Sequence, residues 1–247
     1  MSTVFGEVAE LYDAVRPDHP PEIAGLVLSY AGDLPSRAAE IGAGTGKATI
    51  LFAGRGFPIT CVEPDPRMAV RLQERLPDAG VTVEASAFED WEPPAGGVDL
   101  LYAALAWHWL RPDTRATLAA NALASGGTLA LIGRKTVIVD ESLSAAVRAV
   151  LDSFPGAIPD HPPLPEYAVP ELLAESSFTD VRTWTLSQSR DYDTEGFLAL
   201  QQTFSPFRVR ALEIRDATTS ALRTLIDGAG GVVPTRLDTF VVLAHRT

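Results

Sequence analysis

Short apolar runs and helical stripes alternate along the first half of the chain. Phe5, Val8, Ala9 and Tyr12 recur at helical spacing, and Pro20-Pro21 opens a second stripe of Ile23, Leu26, Val27 and Tyr30. Five β-like runs follow, at Arg37–Ile41, Pro58–Val62, Val81–Ala85, Val98–Ala103 and Thr128–Ile132. Helical patterns near Lys47–Gly54, Pro66–Leu76 and Asp113–Leu123 separate them. Strands that alternate with helices predict a parallel sheet covered on both faces.

The rhythm breaks after Ile132. A helix is expected near Ser142–Phe154, followed by Pro155, Pro159, Pro162, Pro163, Pro165 and Pro170, which cannot all sit in regular ladders. Residues 134–180 therefore read as a lid inserted between a core of residues 1–133 and a C-terminal part, 181–247, that completes the same sheet. In that part Val181–Asp191 and Leu237–His245 read as strands that pair at the sheet edge. Thr194–Leu225 reads as helix, split at Ser205-Pro206.

Glu40-Ile41-Gly42-Ala43-Gly44-Thr45-Gly46 lies between the first strand and its helix. Glycines there let the backbone turn tightly and approach a ligand. The dinucleotide pattern G-x-G-x-x-G fails, because Lys47 stands where its third glycine belongs. The P-loop pattern fails too, with Ile41 at its first glycine and Ala48 after Lys47. What remains is acid-x-G-x-G-x-G. Glu63, at the end of the second strand, can accept hydrogen bonds from both ribose hydroxyls, as acids there do in nucleoside sites. Its other reading is a cap for the helix that begins near Pro66.

Successive segments resemble the motifs of class I methyltransferases that use S-adenosylmethionine (SAM). They are Ala39–Lys47, Val62-Glu63-Pro64-Asp65, Ser86–Trp91, Val98-Asp99-Leu100-Leu101, Ala106-Trp107-His108-Trp109 and Leu123–Leu129. Within that superfamily the chain resembles the small-molecule group that includes trans-aconitate methyltransferases. The resemblance covers roughly residues 4–133. It implies a doubly wound, Rossmann-like sheet of seven strands in the order 3-2-1-4-5-7-6, the last antiparallel, with a helical lid.

It also implies roles. Gly42, Gly44 and Gly46 would lie against the amino-acid part of SAM, and Glu63 would hold the ribose. Pro64 and Met68 would flank one side of the adenine, Ala87 and Phe88 the other. Ala103 would offer its carbonyl to the methionyl ammonium. Tyr12 and Arg16 belong to a segment that folds over the cofactor in this group. Two departures stand out: Ser86 replaces an Asp that bonds adenine in many relatives, and Arg111-Pro112 replaces an Asp-Pro pair.

The expected function is methyl transfer to a small molecule, at a carboxylate or hydroxyl oxygen. His108 is the first candidate base and His19 the second; His161 and His245 are weaker. Trp107, Trp109, Tyr167, Phe204 and Phe207 are candidate acceptor walls, and Arg134, Arg208 and Arg210 candidate anchors for an acidic group. An NAD-dependent oxidoreductase and a non-catalytic SAM-binding protein are the alternatives.

Composition narrows the partners. A net charge of −12 argues against a nucleic-acid face, which needs basic residues. Strand four also lacks the Asn/Asp-Pro-Pro-aromatic ending of many enzymes that methylate nucleobase nitrogens. The sequence has no long apolar run and only one cysteine, Cys61, so a cytoplasmic monomer or homodimer without metal is expected.

Overall fold

A computed structural model describes residues 9–77, 80–155 and 162–247. Phe5, Val8, Pro159 and His161 lie outside the described residues, as does the Tyr12 side chain. Among the described residues, seven strands form one sheet in the order β3-β2-β1-β4-β5-β7-β6. They are β1 (Ala38–Ile41), β2 (Ile59–Val62), β3 (Val81–Glu84), β4 (Val98–Ala104), β5 (Leu123–Ile138), β6 (Phe178–Asp193) and β7 (Val232–Arg246). The first five pair in parallel, and β7 runs antiparallel to both β5 and β6. The expected order and the direction of the last strand are both observed.

Alternation along β5 explains the two layers. Leu129 and Leu131 point into one apolar cluster, with Ala116 and Ala119 of α5 (Arg115–Ala122) and Leu164, Ala168 and Leu172 of α7 (Leu164–Ala174). Ala130 and Ile132 point into the other, with Ile23, Ala24 and Val27 of α2 (Glu22–Ala31), Leu51 and Phe52 of α3 (Thr49–Phe52) and Leu72 of α4 (Pro66–Arg75). All four positions of β1 are buried, as a central parallel strand requires.

The second half departs from expectation in two ways. First, β5 continues six residues beyond Ile132, paired with β7 from Gly133↔Phe240 to Ile138↔Thr235. Its neighbour β4 stops at Ala104↔Ile132, so this extension rises past the end of the parallel sheet. Second, the proline-bearing part of the expected lid holds a second helix, α7, where the pattern places only the one near Ser142–Phe154. Pro165 falls in the first turn, where a helix needs no N–H, and Pro170 is tolerated inside. α7 packs on the sheet so closely that a Cβ on Gly133 would meet Leu164 Cβ at 2.6 Å. As expected, helices join β6 to β7: α8 (Thr194–Gln201), α9 (Ser205–Arg208), which begins at the Ser205-Pro206 break, and α10 (Leu212–Gly228).

A third apolar cluster builds a cap over the strand ends. It joins Leu143 and Val147 of α6 (Glu141–Asp152) to Phe197, Leu198 and Leu200 of α8 and to Leu222 and Ile226 of α10. The cap thus draws on two separate insertions, one before β6 and one after it.

Candidate active site

The glycine loop leaves β1 through Gly42, Gly44 and Gly46, whose φ angles are 63°, 58° and 84°. A Cβ is strained in this region, so glycine suits all three positions. The turn presents the Gly44 N–H to Glu63 Oε2 at 2.8 Å, and the Asp65 N–H meets Glu63 Oε1 at 2.9 Å. Burial raises the Glu63 carboxyl, and these two donors oppose that shift. The cap of α4 is Asp65, which accepts from the Arg67 N–H at 3.0 Å. Glu63 is left to the loop.

Glu40 lies beneath the loop, fully buried. It accepts from Thr49 Oγ1 at 2.6 Å. Burial pushes its carboxyl up to about 8, so it is largely protonated at neutral pH. The helix after the loop is only Thr49–Phe52, shorter than the expected Lys47–Gly54.

The N-terminal segment, α1 (Ala9–Val15) and the residues after it, is tied across the loop. Asp13 accepts from Thr45 Oγ1 at 3.1 Å and pairs with Arg75. Lys47 pairs with Asp18 at 2.8 Å and with Asp13 at 3.7 Å. Arg16 reaches the cap: its Nε donates to Thr203 Oγ1 at 2.8 Å, its Nη2 to the Thr203 carbonyl at 3.1 Å, and its guanidinium stacks 4.3 Å from the Phe204 ring centre. Asp13, Lys47 and Thr203 were not singled out from the sequence. Their partners are distant along the chain, and only the resemblance of the Tyr12–Pro17 segment pointed there.

Loop, N-terminal segment, strand ends and cap together enclose a cavity of about 770 Å³. Of the expected residues, Arg16, His19, Glu40, Gly42, Gly44, Glu63, Pro64 and Met68 line it. So do Trp107, His108, Trp109, Tyr167, Phe204 and Phe207, with Arg134 and Arg210. Gly46, Ala87, Phe88, Ala103, Arg208 and His245 are outside its lining. Gly46 packs on α4, where a Cβ would meet Leu72 Cγ at 3.3 Å. Phe88 is buried in the core beside Trp91.

The two histidines at the cavity differ. His19 is buried, with its Nδ1 3.2 Å from Arg134 Nη2. Burial, aided by Arg134, pushes its pKa down to about 3, so it is neutral at physiological pH and a weak base. His108 is half-buried on the Trp107–Trp109 turn that follows β4. Arg115 braces this turn: Nη1 donates to the Trp107 carbonyl at 2.8 Å, and Nη2 pairs with Glu171 of α7 at 2.6 Å. Leu105, at the end of β4, has a φ of 55°, a strained value for a leucine.

Residues 38–127 match a family described as a methyltransferase domain. This region is also the one that holds β1 to β4, the glycine loop and Glu63. An uncharacterized methyltransferase of Mycobacterium tuberculosis is 34% identical over 135 residues, 53% of this chain and 52% of that protein. The match therefore spans about half the length of that relative. The fold extends further. A structure from Anaeromyxobacter dehalogenans, assigned to the type II methyltransferases, aligns over 94% of this chain and 97% of its own (TM-score 0.62, 20% identity). A Haemonchus contortus N-methyltransferase, solved with phosphomonomethylethanolamine and S-adenosylhomocysteine, aligns over 96% of this chain and 57% of its own (TM-score 0.54, 15% identity). The cap that closes the cavity lies beyond the residues matched by that family.

Proposed function

We propose that this protein is a SAM-dependent methyltransferase acting on an oxygen of a small-molecule acceptor. The observation that carries this reading is a single cavity walled at one end by the glycine loop and Glu63 and at the other by the aromatic cap. Its size falls within the range of about 300–1,000 Å³ common for small-molecule sites.

The residues fit the cofactor. A Cβ on Gly44 would meet no atom within 4 Å, so the loop has open space beside it. A carboxylate has about four acceptor sites, and backbone N–H groups use two of those on Glu63, leaving capacity for the ribose hydroxyls. Gly42 and Gly44 would take the amino-acid part, with Arg16 above it. Pro64 and Met68 would hold the adenine. Bound SAM supplies an electrophilic methyl group.

The chain's own part is to align the acceptor and keep water out, which in favourable cases is worth about 7–11 kcal/mol. Trp107, Tyr167, Phe204 and Phe207 wall the acceptor side. For a hydroxyl acceptor, His108 is the group placed to take the proton; a carboxylate acceptor needs no base. A net charge of −12 supports a small molecule over a nucleic acid.

The test is conversion of SAM to S-adenosylhomocysteine (SAH) against a panel of carboxylic acids and phenols. His108→Gln should slow hydroxyl acceptors by roughly 100-fold while leaving SAH affinity intact. SAH bound tightly with no turnover on any acceptor favours a non-catalytic SAM-binding protein.

A further inference from the structure

In a protein of net charge −12, the cap end of the cavity is cationic. Lys135, Arg148 and Arg210 line it there, against one acid, Asp152. Lys135 lies on the β5 extension directly across the ladder from Asp238. That acid is already taken by Arg236 at 2.8 Å and Ser187 at 2.7 Å. Arg148 lies on the face of α6 made by Ser144, Val147, Arg148, Leu151 and Asp152, the helical spacing of the wall. Among the described residues, Lys135 and Arg148 have no ion pair, although Asp152 is one turn from Arg148.

Arg210 supplies an independent observation. It is 7% exposed, and its guanidinium donates to the Leu151 carbonyl at 2.8 Å and to Thr218 Oγ1 at 3.3 Å. Its buried Nε–H finds no acceptor. The two bonds fix the guanidinium in the cavity wall as a positive charge that cannot swing away. Nearby walls are apolar: Val137, Ile138, Val147, Leu151, Pro206 and Phe207.

We propose that Lys135, Arg148 and Arg210 form an anchor for the anionic head of an amphipathic organic acid, whose apolar body lies along the cap. This names the acceptor class of the methyltransferase and rests on that reading. The head is an anchor and not the methylated group. Lys135 is three residues past Ile132, the last residue level with β4. That is roughly 10 Å further along the strand than the end of β4. A carboxylate neutralised by three cations is also a weak nucleophile. The methylated oxygen is then a second group on the same molecule.

The experiment titrates full-length protein, without nucleoside, with 4-phenylbutyrate and with uncharged 4-phenylbutyramide, following tryptophan fluorescence and calorimetric heat. The carboxylate is expected to bind at least tenfold more tightly than the amide, and less tightly as salt rises. Lys135→Met/Arg148→Met, at positions outside the core, is expected to lose at least tenfold for the carboxylate and leave the amide unchanged. Equal affinities in the wild type, no carboxylate binding at millimolar concentration, or an unchanged double variant each overturn the anchor. SAH titration of the same samples is a separate readout. Failure there bears on the methyltransferase reading, while the charge preference stands or falls alone.

Discussion

The two ends of the cavity are built by different physics. The loop end is backbone: three left-handed glycines, a strand-end carboxylate and N–H groups fixed by parallel pairing. The cap end is side chain: an apolar cluster of three helices brought together from two insertions. The first can be specified by a few residues close in sequence. The second depends on contacts between distant segments. One construction is suited to holding a constant cofactor, the other to being varied around an acceptor.

Perturbing each end should separate them. The largest expected effect is on the cap. Phe197 is 1% exposed in the cap cluster, and that cluster shares no residue with the two sheet clusters. Phe197→Ala should cost about 3–5 kcal/mol in chemical denaturation, while SAH affinity of the folded protein changes little. Next is Glu63→Ala. Losing charge-assisted hydrogen bonds should weaken SAH binding roughly 100-fold and leave 4-phenylbutyrate binding unchanged. Loss of both ligands in either variant would break the division.

Arg16 is the link between the ends, since it joins the N-terminal segment to Thr203 and Phe204. Arg16→Ala should weaken SAH about tenfold and the acid probe by less, because charged hydrogen bonds of this kind are worth about 1.5–3 kcal/mol. The smallest effect per step is a pH slope from Glu40. Its folded pKa, about 8, lies above its ordinary value of 4.5. The folded state therefore holds the extra proton between those values, and stability falls as pH rises through that window. The slope is at most about 1.4 kcal/mol per pH unit. Glu40→Gln, which stays neutral, should gain on the wild type across the window in denaturation midpoints.

The same contrast explains what the sequence disclosed. Strands β1 to β4 are short apolar runs with loops at both ends, so local pattern located them within a residue or so. The glycine loop was legible because left-handed turns restrict residue type. Gly133-Arg134-Lys135-Thr136 carries no strand signal; it is β-structure only because β7, a hundred residues later, pairs with it. Prolines in α7 hid a helix whose stability comes from burying Leu164, Ala168 and Leu172. The clamp of Asp13, Lys47 and Arg75, the brace of Arg115 and Glu171 and the cationic cap wall are likewise meetings of distant residues.

The most direct measurement is calorimetry of the purified wild type with SAH and, separately, with NAD. The account predicts a saturable heat with SAH, lost in Glu63→Ala, and none with NAD at the same concentrations. Tight NAD binding together with silence toward SAH would contradict it.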